Sequence, residues 1–373
     1  MQRCNRFSYE WFNQMTRIFN FCAGPATLPL PVLEKARDEL LDYKGLGMSV
    51  MEISHRSAAF DDLADSTEAC LRRLLSISDD YAVLFLAGGA TMQFAQVPLN
   101  LASPGKPGAY IVDGSWSKKA FSIADRMGLA TLAASSEAAG FKSIPAQGEW
   151  NLGDNPAYLH YASNETISGV QFRQPPESDL PLVSDMSSDI LSRPVDVGKF
   201  GVIYAGAQKN IGQAGLAIVI VRKDLLRDLP ANQPDLMSWK IQHKQGSRLN
   251  TPPTYAWYIA GLVFDWVEAN GGLKRMAELN QHKADTFYHY LDQSSFYVNG
   301  IPAEYRSHMN IPFQIVDETL HGRFVAEAEA AGLSSLKGHR SVGGMRASIY
   351  NAMPIEGVNA LISFMKEFES KAG

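Results

Sequence analysis

The stretch Gly201-Val-Ile-Tyr-Ala-Gly-Ala-Gln-Lys-Asn-Ile-Gly-Gln-Ala-Gly215 decides how the chain is read. Val202 to Ala205 is short, apolar and β-branched, the pattern of a strand covered on both faces. A loop of small residues follows and carries one charge, Lys209. Leu216 to Val221 is a second apolar strand. A lysine held between two buried strands is drawn toward a dry site, and desolvation disfavours its charged form. A neutral amine can attack a carbonyl and form an imine. The same stretch also suits a loop lysine whose stem packs and whose head reaches water.

Working upstream, the same unit recurs. Leu180 to Val183 is an apolar run with Asp185 just past it. Tyr158 to Ala162 runs into Ser163-Asn164-Glu165-Thr166. Ala109 to Val112 leads through Asp113-Gly114-Ser115-Trp116 to a helix expected over Lys118 to Met127. Ala82 to Leu86 ends at Gly88-Gly89-Ala90-Thr91, where a helix is expected to open at Met92. Leu129 to Ala134 is a further strand. Phe60, Leu63, Thr67, Leu71 and Leu74 mark an amphipathic helix, and Val32 to Tyr43 another. Strands alternating with helices predict an α/β fold with a mostly parallel sheet. Ligands of such sheets gather beyond the carboxyl ends of the strands. Ala90, Thr91, Trp116, Thr166, Asp185 and Lys209 all fall at such ends.

Size and charge narrow the function. The 373 residues suit two domains, and 46% hydrophobic with 20% charged residues is ordinary globular composition. A net charge of -5, with no basic run, gives no pull toward nucleic acid or anionic membranes. The longest apolar runs are too short to span a bilayer. Cys4, Cys22 and Cys70 are odd in number and lack metal-ligand spacing, as expected of free thiols in a reducing cytoplasm. Residues 1–17 lack the apolar core of a secretory signal and read as a disordered leader.

Downstream, Asn250-Thr251-Pro252-Pro253-Thr254 reads as the cap of a long helix and a second seat for an anion. Gly271-Gly272 marks the expected boundary between a large domain, 27–271, and a smaller α+β domain made of 272–373 with 18–26. The smaller unit carries His339-Arg340 and Arg346 in a glycine-rich loop, and His55-Arg56 forms a matching pair upstream. Arginine binds carboxylate or phosphate with a rigid fork. Surface ion pairs are the ordinary alternative.

A nucleophilic lysine, a carboxylate, an indole and an anion cradle together describe a site for pyridoxal 5′-phosphate. Lys209 would hold the aldehyde as an imine. Asp185 would keep the pyridine nitrogen protonated, making the ring an electron sink. Trp116 would cover a ring face, and donors near Ala90 and Thr91 would hold the phosphate.

These elements occur in an ordered set of motifs: Asn20-Phe21-Cys22-Ala23-Gly24-Pro25-Ala26, Ser54-His55-Arg56-Ser57, Gly114-Ser115-Trp116-Ser117-Lys118-Lys119, Asn164-Glu165-Thr166-Ile167, Ser184-Asp185-Met186-Ser187-Ser188, Tyr204-Ala205-Gly206-Ala207-Gln208-Lys209-Asn210 and Asn250-Thr251-Pro252-Pro253-Thr254. With them the chain, over about residues 18–373, resembles the phosphoserine aminotransferases, class V pyridoxal-phosphate enzymes of fold type I. The resemblance implies that Lys209 carries the cofactor and that Gln208, Ala90 and Thr91 bind its phosphate. Asn250 and Thr251 would reach that phosphate from a partner subunit, so a homodimer is implied. Trp116, Thr166 and Asp185 would contact the ring. Arg346 would anchor the substrate α-carboxylate. His55 and Arg56, with His339 and Arg340 of the other subunit, would receive the distal phosphate or carboxylate.

The implied reaction takes an amino group from glutamate, leaving 2-oxoglutarate, and gives it to 3-phosphohydroxypyruvate to form phosphoserine for serine synthesis. The family also acts on a phosphorylated hydroxythreonine in pyridoxine synthesis, and the sequence leaves open whether this member does. Three positions depart from the family pattern: Gln213, often proline; Thr91, arginine in some members; and Arg248, which the sequence does not explain. Two alternatives stand beside this reading. A cysteine desulfurase of the same class needs a reactive cysteine beyond the lysine, whereas all three cysteines precede residue 71. A non-catalytic homologue acting as a binding subunit would be expected to have lost the Lys209, Asp185 and Trp116 set.

Overall fold

Val202 to Ala205 and Leu216 to Val221 are entirely buried, so their backbone groups must be satisfied by neighbouring strands on both sides. A computed structural model describing residues 17–372 shows those neighbours. Residues 1–16, including Cys4 and nearly all of the expected leader, lie outside the described residues.

The chain begins with β1 (Phe19–Asn20), α1 (Leu30–Asp38) and α2 (Ala58–Leu75). Next come β2 (Tyr81–Ala87), α3 (Gly89–Leu101), β3 (Gly108–Val112), α4 (Ser115–Arg126), β4 (Ala130–Ser135), β5 (Tyr158–Ala162), β6 (Leu182–Asp185), β7 (Val202–Gly206) and β8 (Leu216–Arg222). Helices α5 (Trp239–Lys244), α6 (Thr254–Ala269) and α7 (Gly272–Gln293) follow. The chain ends in β9 (Tyr297–Val298), β10 (Asn310–Ile315), α8 (His321–Ala330), β11 (Leu333–Ser334), β12 (Met345–Ser348) and α9 (Ile355–Ala372).

Seven strands form the main sheet in the order β2-β8-β7-β6-β5-β3-β4. All run parallel except β8, which is antiparallel to both β2 and β7. The expected mostly parallel sheet is therefore present. The Lys209 loop is its exception, a direct return from β7 to β8 with no crossover helix. One face packs against α2 and α6, the other against α3 and α4. Helix α6 is apolar nearly all round because it lies between the sheet and α2; its Trp257 stacks on Phe85 of β2 with centroids 4.4 Å apart. Truncating such a buried indole typically costs about 3–5 kcal/mol.

A second core gathers β9 to β12, α8 and α9 around Phe287, Phe313, Phe324 and Phe368, and Phe21 joins it from the N-terminal side. There β1 pairs in parallel with β11. Helix α7 spans both cores: Leu273 and Met276 pack in the first, Ala284, Phe287 and Leu291 in the second.

Several boundaries differ from the sequence reading; β6, for one, runs Leu182–Asp185, so Asp185 is its last residue rather than lying past it. Helix α1 stops at Asp38 rather than Tyr43, because Tyr43 turns inward to meet Tyr258 edge-on at 5.7 Å. Helix α3 opens at Gly89 rather than Met92; Gly88 and Gly89 have φ of 98° and 61°, which glycine adopts without strain. Helix α4 opens at Ser115 rather than Lys118, so Trp116 sits in its first turn. Pro252 and Pro253 lie before α6 rather than inside its opening turn, and no side chain caps that helix.

Candidate active site

The carboxyl edge of the sheet brings five loops to one cavity of about 340 Å³. Its walls include Gly88 to Thr91 after β2, Trp116 after β3, Thr166 after β5, Asp185 at the end of β6, and Gln208 and Lys209 after β7. Gly24 and Pro25 close it from the N-terminal segment.

Lys209 is buried, and its Nζ donates to Thr166 Oγ1 at 2.6 Å. The same Nζ lies 5.7 Å from the centroid of the Trp116 ring. Burial lowers its pKa to about 8, against the opposing pull of Asp185 and Glu165. The neutral amine that a nucleophile requires is thus reached at a much lower pH than for an ordinary lysine.

Asp185 lies on the strand next to the one that feeds Lys209. Its Oδ1 accepts from the backbone N–H of Ser187 at 2.9 Å and from the Ser187 hydroxyl at 2.5 Å. Those bonds use Oδ1 alone, and Asp185 lines the cavity. Burial raises the pKa of Asp185, while Ser187 and Lys209 oppose the rise.

Two helix N-termini point at this edge, and they differ. At α4 the carboxylate of Glu165 accepts from the backbone N–H groups of Trp116 and Ser117. At α3 no side chain caps the first turn. Its free N–H groups and dipole form the open seat for an anion.

Arg346 stands on the far side of Thr166, donating from Nη1 to the Thr166 carbonyl at 3.3 Å. Its Nε is buried without a partner. That leaves a charged donor for a carboxylate that would bind beside Lys209.

The comparisons with known proteins agree with this geometry. Residues 18–361 match the family model described as aminotransferase class-V. A phosphoserine aminotransferase of Pseudomonas putida is 53% identical over 358 residues, covering 96% of this chain and 99% of that protein. The chain belongs to the phosphoserine aminotransferase family. Among solved structures, the phosphoserine aminotransferase from Bacillus circulans subsp. alkalophilus superimposes with a TM-score of 0.93 at 46% identity, over 96% of this chain and 99% of that one. A pyridoxal-phosphate-bound phosphoserine aminotransferase from Trichomonas vaginalis gives 0.90 at 41% identity, over 94% and 100%.

Within this phosphoserine aminotransferase fold the residues singled out in the sequence divide into two groups. Ala90, Thr91, Trp116, Thr166, Asp185, Gln208 and Lys209 line the cavity, with Arg346 against its wall. His55, Arg56, Asn250, Thr251, His339 and Arg340 do not line it; Arg56, Asn250, Thr251 and Arg340 are exposed in the single chain. Arg248, unexplained by the sequence, donates to the carbonyl of His55 and forms an ion pair with Asp61 at the start of α2. Gln213 is exposed.

Two residues with clear work had no role in the sequence reading. Ser187 stands two residues after Asp185, the spacing at which an aspartate accepts from its own downstream backbone, so its signal was legible. Glu165 gave no such signal, because its partners lie 48 and 49 residues upstream.

The donor set fits pyridoxal 5′-phosphate: an amine of lowered pKa, a carboxylate with one free oxygen, an indole face and an uncapped helix N-terminus around one cavity. Among the described residues no cluster of three or more His, Cys, Asp or Glu suits a metal ion, and no helix is long and apolar enough to cross a membrane. Cys22 and Cys70 are free, and burial pushes the Cys70 thiol up to about 12, which leaves it inert as a nucleophile.

Proposed function

We propose that this chain transfers an amino group between glutamate and 3-phosphohydroxypyruvate, producing 2-oxoglutarate and phosphoserine, with pyridoxal 5′-phosphate held at Lys209. The observation that carries this reading is the Lys209 amine, buried and bonded to Thr166, with Asp185 on the next strand and Trp116 beside it. When bound, the cofactor supplies an electron sink for the carbon that loses its proton.

The residues do the rest. Asp185 Oδ2 would hold a proton at the pyridine nitrogen, favoured by a low-dielectric setting that strengthens a charged pair. The first turn of α3 would hold the phosphate, with Ala90 and Thr91 at its lip and Gln208 beside it. Trp116 and Thr166 would fix the ring plane and its substituents. Arg346 would clamp the substrate α-carboxylate, placing the Cα proton near Lys209 Nζ, which would remove and return it.

We read 27–271 as the cofactor-binding domain and 18–26 with 272–373 as the smaller one. His55, Arg56, Asn250, Thr251, His339 and Arg340 stand outside the cavity of a single chain, which supports a homodimer whose sites are shared. In that assembly Asn250 and Thr251 would reach the partner's phosphate, and the two His-Arg pairs would meet over the distal anion of the substrate. The proposed setting is the cytoplasm.

The test is an absorbance spectrum of the purified protein before and after glutamate. A visible band that shifts on adding glutamate, and that is lost in Lys209→Ala, is expected. A band unchanged by Lys209→Ala would refute the assignment.

A further inference from the structure

Glu165 is fully buried, yet no cation is among its hydrogen-bond partners. Its carboxylate accepts from Trp116 N at 3.1 and 3.0 Å, from Ser117 N at 2.7 Å and from Ser117 Oγ at 2.7 Å. The compensating charge is the positive end of α4. Glu165 also closes its own loop: its N–H donates to the Val170 carbonyl at 2.8 Å, and its carbonyl accepts from Gly169 N–H at 2.9 Å. The next residue, Thr166, faces Lys209 Nζ through its hydroxyl and Arg346 through its carbonyl.

Gly114 gives independent testimony. Its backbone is extended, with φ of -175°, so conformation alone does not demand glycine. A Cβ at this position would lie 2.1 Å from Glu165 Cδ and 2.4 Å from Oε2. Space has been cleared at the helix entry for this one carboxylate.

We propose that Glu165 is a positioning residue that locks the indole of Trp116 and the hydroxyl of Thr166 into one rigid unit, so that both meet a bound pyridoxal ring in register. The inference rests on the cofactor reading above. Asp113, the other carboxyl buried here, has neither oxygen partnered; burial raises the pKa of both carboxyls, and at Glu165 the hydrogen bonds from Ser117 and Trp116 oppose the rise. The first N–H groups of α4 are thus directed at Glu165 and not at Asp113. Lys209 faces Glu165, Asp185 and Asp189 as its anions and Arg346 as its cation; Glu165 in turn faces Asp113 and Asp185.

Glu165→Gln keeps the shape and can keep an oxygen toward Ser117, but it removes the charge and puts an amide NH₂ where Oε2 accepts from the Trp116 N–H. The experiment loads the wild-type, Glu165→Gln, Gly114→Ala, Glu165→Ala and doubly substituted Gly114→Ala/Glu165→Ala proteins with pyridoxal 5′-phosphate. It reads the dissociation constant from the visible band, the circular dichroism of that band, its pH titration, and thermal unfolding of the cofactor-free protein. Glu165→Gln is expected to weaken binding about tenfold or more, the scale of lost hydrogen bonds to a charged group. It should flatten the visible dichroism, and it should shift the titration to lower pH because an anion near Lys209 is gone. Gly114→Ala should do likewise, and adding it to Glu165→Ala should change nothing further. A wild-type constant and dichroism in Glu165→Gln, or additive effects of the two alanine substitutions, would overturn the proposal. Should Glu165→Gln fail to fold, the Gly114→Ala and double-variant comparison decides alone. A wild-type protein without any visible band would overturn the cofactor reading itself, and this inference with it.

Discussion

At Lys209 the desolvation of a single amine sets the chemistry. Its pKa in the fold, about 8, lies below the ordinary 10.5. Between those values the folded state carries fewer protons than the unfolded one, so cofactor-free protein should gain stability as pH rises through that window. Below about pH 8 the penalty of a buried ammonium is felt in full. The rate at which cofactor-free protein regains its visible band should therefore climb up to about pH 8 and then level off. A rate still rising tenfold per pH unit at pH 10 would show an ordinary solvated lysine. Ser187→Ala should free the Asp185 carboxylate and weaken cofactor binding, with a stability loss of about 1–2 kcal/mol for the lost hydroxyl bond. Unchanged affinity would remove Ser187 from the account. Lys209 and Asp185 were legible in the sequence because each sets a lone charge at or just beyond the end of an apolar strand. The task of Glu165 was not, since nothing local distinguishes a carboxylate that caps another element's helix from one that meets solvent.

Among the elements, the strand-loop-helix units were readable because apolar runs and glycine turns are local signals. The return from β7 to β8 without a helix was also implicit in the short spacing, although its antiparallel direction makes β8 an exception in the sheet. Helix starts were less legible: α4 opens three residues early because Glu165, from the β5 loop, satisfies its first N–H groups. Arg248 shows the same limit. Its partners Asp61 and His55 lie 187 and 193 residues away. Its guanidinium ties the start of α2, and the turn just before it that carries His55 and Arg56, to the segment that carries Asn250 and Thr251. Arg248→Ala should raise the KM for 3-phosphohydroxypyruvate several-fold more than that for glutamate. Its effect on unfolding free energy should stay within about 1 kcal/mol, because both partners are partly exposed. Equal effects on the two substrates would mean that Arg248 does not act through the distal-anion receptor.

The whole molecule depends on how its two cores are joined. Lys283 of α7 is buried and donates to the carbonyls of Ile349, Tyr350 and Met353 at 3.0, 2.7 and 2.9 Å. Asn351, in the same turn, accepts from Asn280 and donates through its backbone N–H to Asn210, the neighbour of Lys209. These bonds hold the strand end that bears Arg346 at a fixed distance from the lysine loop. Lys283→Met should cost about 3 kcal/mol in urea unfolding, since three carbonyls lose a charged donor at once. A loss under about 1 kcal/mol would mean that water replaces the ammonium. Assembly is tested by mixing inactive Lys209→Ala subunits with Asn250→Ala/Thr251→Ala subunits. A shared site predicts that the hybrid regains activity, because one of its two sites receives intact residues from both chains. Mixtures as inactive as their parents would confine each site to one subunit.

The most direct measurement is borohydride reduction of the cofactor-loaded protein followed by peptide mapping. The account predicts a pyridoxyl label on the peptide containing Lys209, with no comparable label on other lysines. A label on another lysine, or none on that peptide, would contradict it.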